Sequence, residues 1–251
     1  MFSVVIINDT DSLSDDGYNA LLPLVSPDKQ ARVKRLRHGR DARNSLLADV
    51  LARMEICRVT GLGNERLEFS VNRHGKPYLP ETAEDGPGIH FNISHAGHYV
   101  ACVIDDGPVG IDIEVIDKAG VKTAERLKIA ERFFSPGEKA YITENRQNYR
   151  FYEIWTKKES RIKWEGKGLS KDLRSFCVLS RDNKGSLRND ADKDGCPDNY
   201  VTPPDCHVYY HNVFYDGTAV CHVCSTRKDK PQVKTIGAAE LLASISALMR
   251  D

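Results

Sequence analysis

Apolar residues recur at helical spacing over residues 41–58, where Leu46, Leu47, Val50, Leu51 and Met54 share one face. Gly61-Leu62-Gly63 is the expected stop of that helix. Ser26-Pro27 signals an earlier helix start, and 9–16 reads as polar loop. Period-two alternation marks 109–115, with Val109, Ile111, Ile113 and Val115 on one face and Asp112 and Glu114 on the other. Phe2 to Ile7 is a strand candidate, as are 67–71 and 175–179. Residues 91–95 and 99–104 predict a hairpin around Ala96-Gly97, and 207–215 and 219–225 a second around Asp216-Gly217. Helices are expected over 122–132, from the capping-box pattern Ser135-Pro136-Gly137-Glu138, over 147–165 ending at Gly166-Lys167-Gly168, and within 237–250. The stretch 181–206, rich in Asp, Asn, Lys, Gly and Pro, reads as a surface loop.

The two hairpins resemble each other. Asn92, Gly97, Val100 and Val103 recur at one constant offset as Asn212, Gly217, Val220 and Val223. A long helix and a Gly-Lys turn precede each copy, Gly75-Lys76 and Gly166-Lys167. The expected class is α+β, with two similar α/β halves related by a pseudo-twofold, an N-terminal half over 1–108 and a C-terminal half over 109–251. A ligand cleft is expected where such halves join, with the acidic strand at the seam.

Composition narrows the function. The 251 residues are 40% hydrophobic and 29% charged, enough for a sizeable core. Lys plus Arg equals Asp plus Glu, 36 against 36, which points away from general nucleic-acid and membrane-surface binding. No apolar run reaches membrane-spanning length. Seven cysteines without regular spacing argue against a disulfide framework, so a reducing cytoplasm is expected. Charge is locally uneven: 29–40 is densely basic, which suits either a solvated cationic face or a phosphate-binding rim.

Asp112 and Glu114 project side by side. They suit either an exposed acidic edge strand or half of a hard-oxygen metal site. Trp155, Glu159 and Lys163 step by four along the long expected helix, so they share a face. One reading is a surface Glu–Lys pair beside a packed Trp. The other makes Glu159 the third carboxylate of an Asp112/Glu114/Glu159 set for Mg2+, with Lys163 one turn away to hold phosphate charge.

The order and spacing of Gly110-Ile111-Asp112-Ile113-Glu114, Phe134-Ser135-Pro136-Gly137-Glu138 and Trp155-x-x-Lys158-Glu159-Ser160-x-x-Lys163 resemble the signature of 4'-phosphopantetheinyl transferases. Gly75-Lys76-Pro77-Tyr78, Phe91-Asn92-Ile93-Ser94-His95 and Glu165-Gly166-Lys167-Gly168-Leu169-Ser170 are similar to further motifs of the surfactin-type subfamily. The resemblance runs from about Ser26 to Val178, and that family's two-domain pseudo-twofold fold agrees with the repeat.

The resemblance implies transfer of phosphopantetheine from coenzyme A to a serine of an acyl or peptidyl carrier protein, releasing 3',5'-ADP. Two fused halves lead to the expectation of a monomer, and the balanced charge to that of no nucleic-acid or membrane partner. By position, Lys29, Arg32, Lys76 and His95 would take the phosphates of coenzyme A, Ser45 and Ser94 would donate hydroxyls, and Lys76-Pro77 would lie beside the adenine. Asp112, Glu114 and Glu159 would hold Mg2+, Glu159 or a metal-bound water would accept the serine proton, and Lys163 would offset charge on the departing ADP. Arg32 stands where lysine is common, and binds phosphate with a forked geometry. The carrier is expected around 163–173, against Trp164, Leu169, Lys167 and Lys171.

Two other patterns carry less. Asp190-x-Asp192-x-Asp194-Gly195 resembles half a calcium loop, but Val201 stands where the closing Glu belongs. Cys221 and Cys224, with Cys206-His207, suggest zinc, yet positions three apart on a strand face opposite ways. Rival functions are an Mg2+-dependent phosphohydrolase acting on a nucleotide or coenzyme A, and a non-catalytic coenzyme A or carrier-binding module.

Overall fold

A computed structural model describes residues 1–80, 88–118, 123–144, 148–168, 171–181, 187–188 and 208–248. The chain is mixed α+β, and its contacts divide it into two units, Met1–Val109 with Pro231–Asp251, and Gly110–Lys230.

In the first unit, β1 (Phe2–Ile7) lies between β5 (Tyr99–Asp105), to which it is antiparallel, and β11 (Gln232–Ile236), to which it is parallel; β4 (His90–Ala96) completes the sheet beyond β5. The hairpin β4–β5 forms as expected, turning at Gly97 with φ +57°. Helix α3 (Gly39–Thr60) packs on this sheet. Its expected face is the core: Leu46, Leu47, Val50 and Leu51 are buried with Val5, Ile7, Val100, Cys102 and Ile104. Gly61 ends the helix in the left-handed region, φ +74°, where a side chain would be strained. Helix α2 (Pro27–Lys34) starts as the Ser-Pro signal predicts, with Ser26 Oγ accepting from Lys29 N at 3.3 Å.

Three expectations here change. Residues 9–16 are not plain loop: α1 (Asp15–Leu21) begins inside them, capped by Ser14 Oγ, which accepts from Gly17 N. Seven residues are too few for the apolar periodicity that betrays longer helices. The strand expected over 67–71 shrinks to β2 (Ser70–Val71), paired with β3 (Pro77–Tyr78) across an Asn72 turn. A side chain has taken its ladder group: Arg53 Nη1 donates to Leu67 O at 3.0 Å. The tail, expected with the second half, pairs residue by residue with β1 from Ser3↔Gln232 to Ile7↔Ile236, and α7 (Ala238–Leu248) follows it into the first core.

The second unit is built on β6 (Val109–Val115), β10 (Ala219–Ser225) and β9 (Tyr209–Tyr215), in the order β6-β10-β9. Helices α4 (Thr123–Phe133), α5 (Pro136–Glu144) and α6 (Asn148–Glu165) follow β6 in the chain. The capping box closes at the start of α5: Ser135 N donates to Glu138 Oε2 at 2.8 Å and Glu138 N to Ser135 Oγ at 3.3 Å. Residues 176–179 are buried but form no strand, because their backbone is held by side chains described below. Short strands β7 (Ser180–Arg181) and β8 (Leu187–Arg188) pair within the expected long loop. The calcium-like stretch and Cys206-His207 lie outside the described residues. Cys221 and Cys224 are buried free thiols in β10.

Candidate active site

Helix α6 crosses β6 on the face that carries Gly110, Asp112 and Glu114. A Cβ at Gly110 would sit 2.1 Å from Ser160 O and 2.3 Å from Trp164 N, so the helix backbone touches the strand there. Going down the helix, Lys163 Nζ donates to Asp112 Oδ1 at 2.7 Å, and Trp155 Nε1 donates to Glu114 Oε1 at 3.3 Å. Trp155 and Lys163 stand eight residues apart, about 12 Å of helix, whereas Asp112 and Glu114 span about 6.6 Å of strand, and the two long side chains make up the difference.

This face is therefore no solvated edge. Asp112 is 5% exposed. Burial pushes the Glu114 carboxyl up to about 7, helped by the charges of Asp112 and Glu159 and opposed by Lys163 and Trp155. Burial and Asp112 push Glu159 up to about 7 as well, against Lys163. Asp112, Glu114 and Glu159 thus act on one another, and the Lys163 ammonium lies among them. Among the described residues no group of three or more His, Cys, Asp or Glu is arranged to hold a metal ion as it stands.

The neighbouring Lys158 has a different task. It is 0% exposed, as is Glu138, and the two pair at 2.9 Å. Lys158 Nζ also donates to Leu173 O and Phe176 O at 2.8 Å, and Glu138 Oε1 accepts from Val178 N at 2.9 Å. The contacts at Phe176 O and Val178 N occupy groups that a strand over 175–179 would have used. Lys158 and Glu138 also hold α5 and the segment 173–178 to α6 next to Glu159.

In the first unit, the residues expected to meet phosphate lie on α2, α3 and β4 and beside β3. Lys29 Nζ lies 3.6 Å from Asp49 Oδ2; burial and nearby Arg32 push its ammonium below the usual lysine range, against Asp49. Asp49 stands one helical turn from Ser45, and Arg32 is exposed on α2. Asn44 Nδ2 donates to Gly97 O at 2.8 Å, tying the β4–β5 turn to α3 beside Ser45, so the strand end carrying Ser94 and His95 comes with it. Lys76 Nζ donates to Val109 O at 3.0 Å, with Pro77 next to it in β3.

Two family profiles match in succession, one described as 4'-phosphopantetheinyl transferase, N-terminal, over residues 12–105, and one as the 4'-phosphopantetheinyl transferase superfamily, over 108–224. The 4'-phosphopantetheinyl transferases ffp and Sfp of Bacillus subtilis are 37% and 36% identical, each over 92% of this chain and 95% of the relative. The chain belongs to the 4'-phosphopantetheinyl transferase superfamily. Psf-1 of Bacillus pumilus is 41% identical over 67% of this chain and 70% of its own. Similarity along nearly the whole of both Bacillus subtilis proteins makes it a transferase of the Sfp type.

In this transferase the expected acidic residues and Lys163 come together on one face of the second unit, while in the first Lys29 reaches α3 at Asp49 and Asn44, beside Ser45, ties the turn after Ser94 and His95 to the same helix. Sequence reasoning missed Asn44 and the Lys158–Glu138 pair as positioning groups. The signal for the pair was present in two motifs, but which of two adjacent charges points inward depends on what packs around the helix.

Proposed function

We propose that the chain transfers the 4'-phosphopantetheine group from coenzyme A to a serine hydroxyl of an apo acyl or peptidyl carrier protein, with Mg2+, releasing 3',5'-ADP. The observation that carries this reading is the meeting of Asp112, Glu114, Glu159 and Lys163 across β6 and α6.

The donor set fits a hard divalent cation. Asp112 is buried and Glu114 and Glu159 are half-buried beside the Lys163 ammonium, and burial first, then the Asp112 charge, pushes both glutamates up to about 7. Asp112, Glu114 and Glu159 would hold Mg2+, which supplies charge neutralisation for the pyrophosphate. The serine oxygen attacks the phosphorus bearing the pantetheine arm, and the bond to the ADP phosphate breaks. Glu159, or a water beside it, would accept the serine proton. Lys163 offers its ammonium to the departing ADP while Asp112 holds it in place. Lys29, Arg32, Lys76 and His95 would neutralise the phosphates of coenzyme A, and Ser45 and Ser94 would donate to them. The long helix followed by a hairpin in each unit supports the reading of two related halves. Balanced charge supports a protein acceptor over nucleic acid, and the buried free thiols support a reducing compartment, the cytoplasm.

Intact-mass analysis tests this. With coenzyme A and Mg2+, an apo-carrier should gain about 340 Da, the phosphopantetheinyl group. Product release without carrier would show a phosphohydrolase instead, and binding without turnover a non-catalytic module. Full activity in Asp112→Ala would remove the proposed centre.

A further inference from the structure

The last turn of α6 carries a second charged cluster, separate from the carboxylates. Glu165, its side chain 7% exposed, accepts from Arg161 Nε at 2.9 Å and from Lys171 Nζ, with Lys167 Nζ at 3.8 Å. Gly166 and Gly168 both sit in the left-handed region, φ +66° and +57°, and turn the chain sharply after the helix, which lets both lysines reach a carboxylate of its final residue. Aromatic rings back the cations: Arg161 lies 4.6 Å from the Trp164 ring centroid and Lys171 4.8 Å from that of Phe176. Burial pushes the Glu165 carboxyl up, but the hydrogen bonds from Lys171 and Arg161 outweigh it and hold the group below the usual carboxylate range.

Three cations around one carboxylate leave this turn net positive by two. Lys167 is the outward member, its side chain 61% exposed. Six residues of helix separate Glu165 from Glu159, about 9 Å along the axis. A protein that presents a serine to Glu159 and buries the usual interface of about 800 Å² on each side will extend over that distance. Such a partner would meet the lysines, so its facing surface should be acidic.

We propose that Glu165 is a positioning residue that clamps Lys171, with Lys167 beside it, into a cationic rim for an acidic carrier protein. This rests on the transferase reading above. Lys171, hydrogen-bonded to Glu165 and with its side chain 19% exposed, is held before the partner arrives, so less of its side-chain freedom is lost on binding.

Glu165→Gln separates clamping from simple charge. The variant keeps the shape and adds one net positive charge. If only charge mattered, KM for an acidic carrier would fall. If Glu165 clamps the rim, KM for the carrier rises about fivefold while kcat and KM for coenzyme A stay as in the wild type. Lys171→Met should raise the carrier KM in the same way, and it carries the test if Glu165→Gln fails to fold. Glu165→Asp, keeping the charge on a shorter stem, should recover part of the loss. An unchanged or lowered carrier KM in Glu165→Gln, or in Lys171→Met where that variant stands in, overturns the clamp alone, since the wild-type reaction is intact. Absence of transfer by the wild type overturns the reaction itself, and the clamp with it.

Discussion

Lys163 Nζ lies 2.7 Å from Asp112 Oδ1, fifty-one residues away in the chain. The ammonium compensates one carboxylate in a group of three and fastens α6 to β6 where the reaction is proposed.

Removing that ammonium should hurt twice. Lys163→Met is expected to lower stability by about 1–3 kcal/mol, less than for a fully buried pair because the lysine is partly exposed. It should also slow transfer about a hundredfold. Added Mg2+ should raise the melting temperature of Lys163→Met more than that of the wild type, since the cation replaces missing charge. Thermal melts with and without Mg2+ check this, and equal shifts would count against a cation site at these carboxylates.

Gly110 should not tolerate a methyl group. All three atoms that a Cβ would strike, Ser160 O, Trp164 N and Lys163 C, are backbone, so no side chain can swing aside. Gly110→Ala is expected to cost about 1–3 kcal/mol and to shift α6 on β6. Denaturant midpoints and transfer rates measured together should fall together. Wild-type stability with normal rates would contradict the close approach.

The Lys158–Glu138 pair should behave as structure rather than chemistry. Lys158→Met leaves a buried carboxylate and two buried carbonyl oxygens without their partner, a change expected to cost about 3–5 kcal/mol. Folded material, assayed below its lowered melting point, should retain the wild-type KM for coenzyme A. A raised KM with unaltered stability would instead place Lys158 at substrate.

His222 predicts a pH dependence. Burial first, then the charges of Lys157 and His211, push its ring well below the usual histidine range, and its Nδ1 lies 2.7 Å from Thr156 Oγ1 on α6. The unfolded chain therefore binds a proton below its ordinary value of about 6.5 that the folded chain refuses. Stability from this group is complete above that value and is lost as pH falls below it. Urea unfolding at acid and neutral pH should show a shallower acid loss in His222→Gln than in the wild type. Identical pH slopes would mean that the ring is protonated in the folded state.

Much of the second unit was legible in advance because its signals are local. Alternation in 109–115 marks a strand, and its i, i+2 acids share a face whatever packs on them. The steps of four through Trp155, Glu159 and Lys163 likewise mark one helix face, and the Ser135–Glu138 box closed as its pattern predicts. Other signals misled because side chains intervened. Arg53 took Leu67 O, and Lys158 and Glu138 took Phe176 O and Val178 N, so two apolar runs with strand composition did not become full strands. Nothing in residues 231–236 announces which strand they join.

By itself, the sequence determined the type and face of the long elements and the residues that carry charge on them, since backbone period and hydrophobic burial act over a few neighbours. Tertiary structure alone decided that α6 runs against the acidic face of β6, with Gly110 as the point of touch and Asp112 within reach of Lys163. It alone turned Lys158 inward and returned β11 to β1. Those outcomes depend on contacts between residues far apart in the chain, whose strength comes from burial and partner geometry that no local pattern contains.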